Sequence, residues 1–284
     1  MAVDQSIPID QGSAELSLSR KRDPTAWVVG LLALTLFLAP AVGATSERLL
    51  QDTLKSMIVS FGVLLAALLW CWSMARNAEP PRWHALMWLP IGLMLYALGS
   101  MAWSHTYLAA VEAIRWFIFA LLLWVGLNTL KPEHLPILVG GIHWGAVMAS
   151  LWAALQFWAD LKLFPQGPNP ASTFINRNFF AEYAVCTLPF SAWLVVQGGG
   201  LGQVLLRVMT TALTVVTILM TGTRSALMAL LMLMVLLPWA LYRYRQQLGL
   251  TRWPALTRRL APAMFVLIVL SLGLVESGNP KVLA

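Results

Sequence analysis

The chain has 284 residues, 59% of them hydrophobic and 11% charged, with a mean hydropathy of +0.72 and a net charge of +7. A water-soluble domain carries roughly 25% charged residues, so this composition excludes a soluble globular fold and predicts an integral membrane protein. The ten-residue alternation of a membrane β-barrel strand is absent. Apolar runs near the ~20 residues of a spanning helix recur instead, and the predicted fold is an all-α polytopic bundle.

Residues 1–22 are polar, with scattered Asp, Gln, Ser and Gly, and read as a disordered cytoplasmic tail. A transmembrane domain at 23–275 follows. Its apolar runs predict nine spans, at about 25–44, 56–75, 85–103, 112–130, 135–157, 179–197, 204–220, 226–242 and 260–275. The first is too long for a signal-peptide core and is read as a retained helix. Trp27, Trp70, Trp72, Trp103, Trp158 and Trp239 lie near span ends, where an interfacial aromatic belt places them. Cys71 and Cys186 fall in different spans and read as small buried apolar residues, with neither a disulfide nor a metal site between them.

Two loops are longer than the rest. The stretch near 158–178 contains Pro165, Gly167, Pro168, Asn169 and Pro170, which break any helix before Ser172 and give a rigid approach to the next span. The stretch near 243–259 is basic, carries Trp253 and Pro254, and is expected to lie on the membrane surface. Gly198-Gly199-Gly200-Leu201-Gly202 has no strand before it and no Gly-Lys-Ser/Thr after it, so it reads as a turn between spans, not a phosphate loop. Residues 276–284 read as the start of a periplasmic loop, cut short at Ala284.

The basic charge is distributed as the positive-inside rule requires, which excludes nucleic acid as its explanation. With the N-terminus in the cytoplasm, twelve of the 19 Lys and Arg residues lie on the cytoplasmic side. Membrane lipids are the expected partner of the Arg243–Arg259 stretch.

On the opposite side, two arginines each begin an apolar run: Arg177 in Phe174-Ile175-Asn176-Arg177-Asn178-Phe179-Phe180, and Arg224 in Thr221-Gly222-Thr223-Arg224-Ser225-Ala226. A helix N-terminus carries partial positive charge and unpaired N–H groups, so each place favours an anion. Asn176 is a good N-cap for the span that starts near Phe179, and Thr223 can cap the later one. Gly222 gives the tight turn its freedom and Ser225 adds a hydroxyl. A guanidinium at either place holds a phosphate bidentately or anchors the helix among lipid headgroups; the spacing leaves both open. Two such ends converging make a socket for a diphosphate.

The other polar residues are less specific. His84 and His134 fall in cytoplasmic loops and His143 inside a span, while His105 is either an outer general base or an interfacial loop residue. Glu182 is either functional or paired with another helix, and Glu112 pairs with Arg115 three residues on. No outer carboxylate pair offers a Mg²⁺ site, so neither a metal nor another cofactor is expected and the arginines alone must offset a diphosphate's charge.

Phe-x-Asn-Arg-Asn-x-x-Ala entering one helix and Thr-x-Thr-Arg-Ser-Ala entering a later one resemble the motifs of the bacterial O-antigen ligase and polymerase superfamily, the ligases most closely. The resemblance implies a metal-independent inverting glycosyltransferase of the GT-C type in the inner membrane, with its active site facing the periplasm. Its donor would be a glycan on undecaprenyl diphosphate and its acceptor a sugar hydroxyl of lipid A-core. By motif, Arg177 and Arg224 take the part of the family's essential arginines, which hold the leaving diphosphate; Asn176, Asn178 and Ser225 stand beside them. The family's general base is a histidine on a large periplasmic loop within about twelve spans, so residues 1–284 are expected to be catalytically incomplete. An O-antigen polymerase or a protein O-oligosaccharyltransferase would share the donor end, and a polyprenyl-lipid or polysaccharide transporter is the rival from another class.

Overall fold

The computed structural model describes residues 24–45, 51–77, 80–104, 106–165, 167–248, 250 and 253–278; the expectations for the 1–22 tail, His105 and 279–284 lie outside them. Among the described residues the chain is all-α. Nine α-helices run α1 Pro24–Ala41, α2 Gln51–Asn77, α3 Trp88–Ser104, α4 Leu108–Thr129, α5 Leu135–Trp158, α6 Arg177–Val196, α7 Leu201–Thr221, α8 Arg224–Arg243 and α9 Ala255–Gly273. Eight are long and apolar enough to cross a membrane, as a multi-pass membrane protein requires; the apolar run of α1, Thr25–Ala41, is shorter. The expected first span overran by three residues. At its C-terminal end the backbone carbonyls turn to side chains from elsewhere in the bundle: Ala39 O accepts from Lys55, Pro40 O from Thr173 and Ala41 O from Trp152 Nε1.

The other boundaries follow local chemistry. Gly222, at φ 64°, closes α7 in the left-handed conformation that glycine adopts without a Cβ clash. Asn176, extended at φ −103° and ψ 120°, opens α6 by accepting from Asn178 N at 2.9 Å. Both motif arginines are therefore the first residues of their helices. The start of α9 at Ala255 puts Arg258 and Arg259 on its first turns rather than in the loop before it.

Three apolar clusters hold the bundle. The largest joins α5, α6, α7 and α8 around Phe180, Ala181, Ala184 and Ile218; a second joins α1, α2 and α4 around Val28, Val63 and Ala66; a third sets α9 against α7. Small residues bring α1 and α5 into backbone contact. A Cβ on Gly141 would overlap the Ala33 carbonyl, and one on Gly145 would stand 2.8 Å from Leu36 O. Gly141 and Gly145 thus form a GxxxG face of the kind that lets membrane helices approach closely.

A buried polar seam fixes the register of α5, α6 and α7. His143 is fully buried, with Nδ1 2.9 Å from Ser191 Oγ and Nε2 3.1 Å from Thr210 Oγ1, and Ser150 Oγ donates to Thr214 Oγ1 at 3.2 Å. Such bonds replace water that a bilayer core does not supply.

Three assignments need correction. Trp70 is 4% exposed and sits edge-on to Trp124 at 4.3 Å, in the core rather than an aromatic belt, because it faces α4. Trp158 is half-buried, whereas Trp27, Trp72, Trp103 and Trp239 are exposed. Cys71 and Cys186 are exposed on outward faces of α2 and α6 rather than buried, because both helices turn other residues to the core.

Candidate functional site

One end of the bundle gathers the C-termini of α1, α5, α7 and α9 with the N-termini of α2, α6 and α8. Ser277 Oγ and Gly278 N, just past α9, donate to Phe157 O in α5 at 2.9 and 3.0 Å. Asn169, in the loop between α5 and α6, donates from Nδ2 to Thr221 O at 3.0 Å, so that loop caps the last turn of α7. The cap lies close enough that a Cβ on Gly222 would stand 3.3 Å from Asn169 Nδ2.

The loop's last residues are pinned as well. Gln156, 2% exposed, accepts from Ala171 N and Ser172 N at 3.1 and 2.7 Å and donates to Ser172 O at 3.1 Å. Ser172 Oγ donates to Ala149 O at 2.6 Å, and Thr173 Oγ1 donates to Pro40 O at 2.7 Å. Phe164 packs edge-on to Trp152 at 5.2 Å. Side-chain pins thus join the prolines in setting the course of this approach. Gln156 and Thr173 were not singled out in the sequence, and Asn169 was read there only among the helix-breaking residues of the loop. A polar Gln late in an apolar helix was the available signal.

This strap also holds backbone strain. Asp160, Ser172 and Ile175 adopt φ of 48°, 56° and 60°. For β-branched Ile175 the left-handed region is an outlier. Asn176 N donates back to Phe174 O at 2.5 Å across it. Such conformations persist only where surroundings over-determine them, and they cluster at functional sites.

The two motifs meet directly. Thr223 Oγ1 donates to Asn178 Oδ1 at 3.1 Å, tying the start of α8 to the start of α6. Arg177 and Arg224 are each one residue from that bond. Both are exposed, and among the described residues neither guanidinium has a hydrogen bond, ion pair or ring contact. Arg115, at the same end of its helix, is instead paired with Glu112 at 2.6 Å, as the spacing predicts.

Thr223 occupies the N-cap position of α8, yet its hydroxyl does not cap that helix. It is committed to Asn178, and among the described residues no side chain accepts from the first turn of α8. Ser225 is exposed beside it. Asn176 keeps its cap, and Asn178, whose Oδ1 takes the bond from Thr223, retains its amide Nδ2 as a donor. The geometry thus offers two helix N-termini, two unpaired guanidinia and an amide, all donors, at one end of an apolar bundle. Donors with no carboxylate among them suit a multiply charged anion.

Glu182 is not drawn into this group by any hydrogen bond or ion pair among the described residues, and it is exposed on α6. His143 belongs to the buried seam, and His84 caps the short turn before α3 by accepting from Leu86 N at 3.2 Å. His134 is buried beside Thr129 O. No protein-family model, no curated protein and no solved structure matches this chain.

Proposed function

We propose that the chain is an O-antigen ligase-like glycosyltransferase of the GT-C type. It would sit in the bacterial inner membrane with the strap, Arg177 and Arg224 facing the periplasm. It transfers a glycan from undecaprenyl diphosphate to a sugar hydroxyl of lipid A-core. The observation that carries this reading is the Thr223–Asn178 bond, which joins two helix N-termini that each begin with an unpaired arginine.

In the reaction, the acceptor oxygen forms the new bond to the anomeric carbon from the face opposite the donor diphosphate. The bond from that carbon to the phosphate oxygen breaks, and its electron pair leaves with the diphosphate, so the configuration inverts. Arg177 and Arg224 hold the leaving group as its negative charge grows, helped by the open first turn of α8 and the Asn178 amide. Fixed donors aimed at developing charge are a large source of catalysis and need no reorganisation at the moment of reaction. The acceptor proton goes to a general base, which in the family that the chain resembles is a histidine on a large periplasmic loop.

The test is transfer by the full chain in membranes with Arg177→Ala and Arg224→Ala. Each should lower transfer about 10²–10³-fold, as loss of one such donor does elsewhere, while the protein stays in the membrane. Arg→Lys should recover little, because an ammonium cannot reproduce the planar fork. Near-normal transfer by both alanine variants would make these arginines headgroup anchors and end the reading.

A further inference from the structure

Lys55, on the second turn of α2, directs its ammonium inward at the end of the bundle that holds the motif arginines. It donates to Ala39 O and Thr173 Oγ1, both at 2.9 Å, and to Val42 O at 3.4 Å. The same ammonium lies 4.1 Å from the centroid of the Phe174 ring. Phe174 in turn stacks on Tyr183 of α6, with centroids 5.3 Å apart and planes 30° from parallel. One side chain therefore ties α1 and α2 to the two residues that precede the left-handed Ile175 and the N-cap Asn176. Ala171, Ser172 and Thr173 are at most 1% exposed, so the strap has little room to take another path.

We infer that Lys55 is a positioning residue for the diphosphate site: it sets where Arg177 and the first turn of α6 stand, without touching the ligand. This rests on the reading above that Arg177 binds a diphosphate. Capping α1 is only part of its work. The Pro40 and Ala41 carbonyls already have donors in Thr173 and Trp152. The contacts to Thr173 and Phe174 reach the strap, and the strap leads into Arg177. A cation at this place also suits the negative end of α1.

The experiment is a double-mutant cycle on the full chain in nanodiscs, reading the Kd for undecaprenyl diphosphate. The variants are Lys55→Met, Arg177→Ala and both together, with unfolding midpoints measured in parallel. Arg177→Ala should weaken binding at least tenfold. Lys55→Met should weaken it about tenfold with Arg177 present and less than about twofold with Arg177 absent, since residues acting through one another are not additive. Its unfolding midpoint should shift equally in both backgrounds. If Lys55→Met does not fold, Thr173→Val removes the acceptor at almost constant shape and should show the same dependence on Arg177 with a smaller loss. Equal losses in both backgrounds, or no loss where Arg177→Ala does weaken binding, would overturn the positioning role alone. Unchanged binding by Arg177→Ala would overturn the diphosphate reading and this inference with it.

Discussion

Thr223→Val removes one hydroxyl and leaves the volume almost unchanged, so it tests whether the link between the two helix starts matters for chemistry. The bond lost is a single neutral contact of 3.1 Å to Asn178 Oδ1. Interhelical bonds of this kind in membrane proteins average about 0.6 kcal/mol. Asn178 is exposed, so water or a headgroup can replace the lost donor and the cost should stay near that figure. That energy corresponds to a factor of about three in the folded-to-unfolded ratio. Function should suffer more. If the bond sets the separation of Arg177 and Arg224, its loss lets two helix ends drift, and a misplacement near 1 Å can cost about 10²-fold in rate. The assay compares denaturant midpoints with initial rates of glycan transfer from the proposed undecaprenyl diphosphate donor. Thr223→Val should lower transfer about 10- to 100-fold, and Thr223→Ser, which keeps the hydroxyl, should retain most of it. A rate loss no larger than the threefold stability change would refute the argument, as would a serine variant as slow as the valine one.

Gly145→Val should destabilise the protein by about 1–3 kcal/mol through overpacking, because its Cβ would meet Leu36 O at 2.8 Å and Pro40 Cγ at 2.9 Å. Gly140→Ala, whose Cβ meets nothing within 4 Å, should be neutral or stabilising; equal unfolding midpoints for the two variants would contradict the close α1–α5 contact. Single cysteines at Pro168 and Gln247, both exposed, test the orientation in a background lacking Cys71 and Cys186. A reagent that cannot cross the inner membrane should label the cysteine at Pro168 alone, and the reverse pattern would put the arginines in the cytoplasm.

The sequence by itself determined the class of fold, because twenty-residue apolar runs leave the backbone no partner in lipid but its own helix. It also determined that Arg177 and Arg224 begin helices, since Asn176 and Gly222 are local chemistry readable within a few residues. The pairing of Glu112 with Arg115 was legible for the same reason. Only the tertiary structure decided that the two motifs touch. Thr223 sits where a capping residue belongs, and nothing within its own segment reveals that its hydroxyl goes to Asn178, 45 residues away. Lys55 is the extreme case, lying 118 residues from Thr173. Trp70 and Cys186 went the other way, since hydropathy along a spanning helix is high on both the lipid face and the core face. In water, burial and polarity separate the faces of a helix; in a bilayer both faces are apolar, and only the packing of neighbouring helices tells them apart.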